Sequence, residues 1–120
     1  MDEYTPAQVA EATGFSLDTL RYYEKEGLIG PVERTVGGRR RYRSSDLAWL
    51  DLIKCLRDTG MPIADLKRYS RLSEDDSTLA ERFALLEAHD RVVQAEIDRL
   101  RERQHRLHEK MAWYREQLGG

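Results

Sequence analysis

At 120 residues, this chain has room for one small domain and an appendage. It has no run of ~18 apolar residues to cross a bilayer and no basic-then-apolar leader in "MDEYTPAQ". Its one cysteine forms no internal disulfide, so a reducing, cytoplasmic setting is expected. Charged residues make up 35% of the chain, yet the net charge is only −2. That average hides residues 34–43, "RTVGGRRRYR", where Arg34, Arg39, Arg40, Arg41 and Arg43 stand with no acid among them. Such a patch suits contact with a polyanion at one place.

Thr5-Pro6 predicts a helix start, a capping hydroxyl followed by proline at the first helical position, with the helix running to about Ala12. "TGFS" supplies a turn glycine and then Ser16 as the cap of a second helix, whose positive end suits Asp18. That helix, "LDTLRYYEKE", stops at Gly27, so the pair predicts a helix-turn-helix. Gly37-Gly38 between extended residues predicts a hairpin, a wing beside the two helices. A third helix runs from Ser44 or Ser45 to Gly60 with Trp49, Leu52, Ile53 and Leu56 as its core stripe. Pro62 opens a fourth, with Ile63, Leu66 and Tyr69 on one face. After the polar linker "SEDDS", Thr78 and Glu81 have capping-box spacing.

One helix of about 40 residues then extends to Leu118. Its 4-3 stripe is Leu79, Phe83, Leu86, Asp90, Val93, Ile97, Leu100, Gln104, Leu107, Met111, Tyr114 and Leu118, a coiled-coil seam that calls for a second copy. Asp90 and Gln104 flank Ile97 symmetrically, which suggests an antiparallel pair centred there, although both could lie at the solvated edge of the seam. The expected organisation is a DNA-binding domain over 1–72, a linker over 73–77 and a dimerisation helix over 78–118.

On the second helix Leu17 and Leu20 are expected to point inward, leaving Arg21 with Tyr22 or Tyr23 facing out as phosphate donors. The hairpin adds Arg39, Arg40, Arg41, Tyr42 and Arg43, and the helix start adds Ser16 and Thr19. No phosphate loop, metal-ligand cluster or nucleophile motif appears, so neither an enzyme nor a cofactor is expected. Glu24-Lys25-Glu26 reads as a solvated helix end. His105 and His108, without thiolates, read as exposed polar residues rather than metal ligands. A pure protein adaptor would share the coiled coil but has no use for five clustered arginines.

"TLRYYEKEGLI", "GGRRRY", the "DL" at the start of the third helix and "LRDTGMPIADLKRY" resemble the MerR family of bacterial transcription regulators over residues 4 to about 72. The terminal helix resembles the family's dimerisation helix in kind. The resemblance implies an all-α-dominated fold: a winged helix-turn-helix with a small β-hairpin wing and an antiparallel coiled-coil dimer. It implies as partners double-stranded promoter DNA, a second copy of the chain and, through the promoter, RNA polymerase. Such proteins bend and underwind a palindromic operator in an over-long promoter spacer. Many members cap the third helix right after the wing tyrosine. Here Arg43 stands there, and the cap is expected to move to Ser44.

"IKCLRDTGMP" and "DSTLAERFALLEAH" further resemble a cysteine-bearing branch that answers aldehydes and other electrophiles, with Cys55 at the place of the sensor thiol. Its helical neighbours Asp51 and Asp58 work against a reactive thiolate, and a lone cysteine is often a small core residue. Both readings stand at this level.

Overall fold

The computed structural model describes residues 3–29, 33–38 and 40–119. The chain divides into two compact units, Met1–Phe83 and Ala84–Gly120.

The first unit begins with α1 (Pro6–Thr13) and α2 (Leu17–Lys25), each started by its expected cap. Thr5 accepts from the Gln8 backbone N–H at 3.2 Å, while the Gln8 side chain accepts from Thr5 N–H at 2.9 Å, a reciprocal box. Ser16 accepts from Thr19 N–H at 3.1 Å. The turn between the helices rests on Gly14 at φ +80°, where a side chain would be strained. Lys54 Nζ donates to Thr13 O at 2.8 Å across the space a Cβ on Gly14 would need. The backbone conformation favours glycine there, and any larger residue would also displace the Lys54 ammonium.

A two-stranded antiparallel hairpin follows, β1 (Glu33–Arg34) and β2 (Arg40–Arg41), with Arg34 opposite Arg40. Arg39 lies outside the described residues. Tyr42 then pairs with Tyr4 through two backbone hydrogen bonds of 2.8 and 2.9 Å, which fastens the hairpin to the N-terminal segment.

Helix α3 (Ser44–Asp58) starts without a side-chain cap. Ser44 is its first helical residue and not its cap. Asp46, in the first turn, instead reaches back and accepts from Arg43 N–H at 2.9 Å, which ties the start of the helix from the other side. The buried residues of α3 are Leu50, Ile53 and Leu56: Ile53 and Leu56 keep the expected stripe, while Leu50 is buried where Trp49 was expected and Leu52 is half-buried. The reason is Trp49. Its indole N–H donates to Leu28 O at 2.7 Å and its ring stacks on Tyr69 with centroids 5.5 Å apart, so it sits at the core's edge. Helix α4 (Ile63–Leu72) buries Leu66, Tyr69 and Ser70, whereas Ile63 is exposed. Ser70 Oγ donates to Gly27 O at 2.8 Å, so α3 and α4 together grip the loop that leaves α2. The core is completed by Val9, Phe15, Leu20, Tyr23, Leu28 and Tyr42.

A 3-10 turn (Asp76–Thr78) precedes α5 (Leu79–Gly119), 41 residues long. Thr78 does not form the expected capping box. Its hydroxyl donates to Leu72 O and Asp75 O, because the tight turn brings those carbonyls beneath it. Asp75 caps the turn, and the hydrogen bonds from Ser77 hold its carboxyl below the usual range. Along α5 the side chains of Leu79, Phe83, Ile97, Leu100, Leu107, Met111, Tyr114 and Leu118 are exposed, and Leu86 and Val93 are half-buried.

Candidate nucleic-acid interface

Burial of Leu20 and Tyr23 fixes which side of α2 faces the core. The opposite side then carries Leu17, Asp18, Arg21, Tyr22 and Lys25, all exposed. Leu17 is therefore outward, against expectation, because α1 and α3 draw the helix inward on the Leu20–Tyr23 side. Tyr22 is the outward tyrosine. Tyr23 is 4% exposed, packs edge-on against Phe15 at 5.3 Å, and its hydroxyl accepts from Arg57 at 3.4 Å. It leaves the surface set and serves to orient α2. Ser16 and Thr19 spend their hydroxyls on each other, at 2.9 Å, and on the cap.

The hairpin arginines are held by carboxylates. Arg40 Nε donates to Glu24 at 2.8 Å, and Arg34 lies 3.9 Å from the same carboxylate. Glu24 is thus half-buried and ties hairpin to helix, which corrects the reading of residues 24–26 as a solvated end. Glu26 is likewise engaged, 2.6 Å from Lys67, and the hydrogen bond and charge of Lys67 hold its carboxyl below the usual range. Arg41 lies 3.1 Å from Glu3, and Arg21 lies 3.4 Å from Asp18. Arg43 is exposed at the start of α3.

Tyr42 is 1% exposed and so is not a surface contact in this conformation. Its hydroxyl has no hydrogen-bond partner among the described residues, and burial, with the Glu24 carboxylate next, pushes its phenol up. A groove of about 700 Å³ runs between the start of α1, the start of α2 and the hairpin, lined by Tyr4, Pro6, Leu17, Arg21, Arg34 and Arg41 among others. Helix face, groove and hairpin form one cationic surface, with Arg21, Arg34, Arg40 and Arg41 each beside an acid that a phosphate could replace.

Sequence reasoning missed two members of this surface. Asp18 is the one acid on the outward face of α2, and only its capping value was legible. Glu24 is 16 residues from Arg40 along the chain, so the contact appears only when the hairpin folds back.

Cys55 is exposed on α3 and does not fill the core of the first unit. Its neighbour Asp58 is engaged by Arg57 at 2.8 Å. His105 lies 3.2 Å from Glu109, and no cluster of metal-ligating side chains occurs among the described residues. No helix among them is long and apolar enough to cross a membrane.

The pattern described as "MerR HTH family regulatory protein" matches residues 4–72. An HTH-type transcriptional regulator of Haemophilus influenzae is 41% identical over 112 residues, 92% of this chain and 83% of that protein. The HTH-type transcriptional regulator AdhR of Bacillus subtilis is 44% identical over 81 residues, 67% of this chain and 58% of AdhR. Among solved structures, HiNmlR, a MerR family regulator lacking the sensor domain and bound to promoter DNA, superposes with a TM-score of 0.85 at 40% identity, covering 95% of this chain and 91% of that one. A MerR family regulator of Bacillus thuringiensis gives 0.80 at 32% identity, covering 92% and 97%.

Proposed function

Because the chain belongs to the MerR family of DNA-binding transcriptional regulators, we propose that it works as a homodimer on a palindromic operator and distorts a long promoter spacer to control RNA polymerase. The relatives are regulators and not enzymes. The carrying observation is the single surface formed by the outward face of α2, the groove and the hairpin arginines. A helix face of this kind fits the major groove, and the arginines fit flanking phosphates. The exposed stripe on α5 supports the homodimer, since a helix of 41 residues leaves its apolar side open to water without a partner. Such a regulator works in the cytoplasm with its DNA.

The signal we propose is a reactive electrophile, an aldehyde above all, captured at Cys55. Likeness to AdhR and HiNmlR and the exposure of the thiol support it. The capture adds the thiolate sulfur to the aldehyde carbonyl carbon, with a proton from water completing the hemithioacetal. The adduct would favour one of two dimer geometries and so one DNA twist.

The test is in vitro transcription from a palindromic promoter fragment upstream of the protein's own gene, with wild type and Cys55→Ser, with and without a small aldehyde. Induction in wild type alone, with one adduct per chain by mass spectrometry, is expected. Equal responses would remove Cys55 from the mechanism and leave the DNA-binding reading intact.

A further inference from the structure

Resting on the DNA-binding reading above, we infer that Tyr42 is a positioning residue for the hairpin: when a DNA phosphate takes Arg40 and Arg34, the Glu24 carboxylate they leave turns to the buried Tyr42 hydroxyl. Three observations carry this.

The first is what becomes of each acid. Arg21, Arg41 and the pair Arg34 and Arg40 each stand beside a carboxylate. A guanidinium that moves to phosphate leaves that carboxylate behind. The Asp18 side chain is 94% exposed and the Glu3 side chain 46%, so water receives both. The Glu24 side chain is only 16% exposed. A carboxylate held so far from water is costly once its cations leave, unless another donor within the fold takes their place.

The second is a donor without an acceptor. Tyr42 is almost wholly buried, and its hydroxyl has no hydrogen-bond partner among the described residues. A buried phenol in that state is itself unfavourable. Two backbone hydrogen bonds to Tyr4 fix the Tyr42 main chain, so the Glu24 side chain is the part that moves.

The third is proximity. Burial raises the Tyr42 phenol first and the Glu24 charge next, while Arg40 and Arg34 lower it. Hydroxyl, carboxylate and both arginines therefore share one electrostatic neighbourhood. Asp46 raises the phenol as well, but its carboxylate is already held by Arg43 N–H at 2.9 Å. A raised phenol keeps its proton at neutral pH and so remains a donor.

In this conformation Glu24 accepts from Arg40 Nε at 2.8 Å, and Arg34 also donates to Gly38 O at 3.1 Å. The exchange releases both guanidinium groups to phosphate. The buried carboxylate keeps a donor, and the buried hydroxyl gains an acceptor. The hairpin thus stays tied to α2 while its arginines turn outward.

The test is a double-mutant cycle between positions 24 and 42, run with and without DNA. Wild type, Tyr42→Phe, Glu24→Gln and the combined variant are measured for stability in urea. Each is then titrated with a palindromic promoter fragment and with an unrelated duplex of equal length. Tyr42→Phe should be at least as stable as wild type, yet bind either duplex about tenfold more weakly, because phosphate contact is independent of sequence. In the Glu24→Gln background the same change should cost about twofold or less. Wild-type affinity in Tyr42→Phe, or an undiminished loss in the Glu24→Gln background, would overturn the exchange. Lower stability of Tyr42→Phe without DNA would make Tyr42 a purely structural residue and overturn it as well. If Glu24→Gln does not fold, the opposite signs expected of Tyr42→Phe in stability and affinity still decide. Equal wild-type affinity for the two duplexes would overturn the operator reading alone, since the Tyr42→Phe loss is read on either duplex.

Discussion

Gly14 is the residue on which the helix-turn-helix bends. Its φ of +80° strains any side chain, and the ammonium of Lys54 would have to move to admit a methyl group. Gly14→Ala is expected to lower the unfolding free energy by about 1–2 kcal/mol in urea denaturation, and an unchanged midpoint would contradict this. Tyr42 predicts the opposite sign. Its hydroxyl is buried with no hydrogen-bond partner among the described residues, so Tyr42→Phe should raise stability by about 1 kcal/mol in the free protein. A loss of that size would mean the hydroxyl is satisfied in solution. Sequence alone could name Arg21, Tyr22 and Tyr23 but could not sort them. Adjacent helical residues point about 100° apart, and which tyrosine faces in depends on where Phe15 and Arg57 lie in the fold.

At the scale of elements, local chemistry was legible and long-range contact was not. The caps at Thr5 and Ser16 are formed within three residues, so the sequence predicts them correctly. The wing's attachment through Glu24 and the grip of Trp49 and Ser70 on the loop after α2 join residues 16 to 43 positions apart. No periodicity announces such pairs. The contact between α4 and the end of α2 has a pH signature. Lys67 lowers the Glu26 carboxyl from its ordinary 4.5, so the pair stabilises the fold above that value. The stabilisation is lost as pH falls through the lower, folded value. Lys67→Met should therefore lower the melting temperature at pH 7, with the difference from wild type shrinking as pH drops below 4.5. A difference independent of pH would assign the effect to packing of the lysine stem.

For the whole molecule, fold class and family were readable because the "TLRYYEKEGLI" and "GGRRRY" blocks sit in elements whose order the structure reproduces. What the chain does on DNA depends on the cationic surface acting as one. The most direct test is the salt dependence of affinity for a palindromic promoter fragment, wild type against Arg21→Ala. Arg21 is exposed and, among the described residues, is held by an exposed ion pair to Asp18, so its loss should leave the fold intact. If each protomer of a dimer sets one Arg21 on a phosphate, the slope of log affinity against log salt should become shallower by roughly two, with weaker binding across sequences. An unchanged slope and affinity would contradict the placement of the α2 face on DNA.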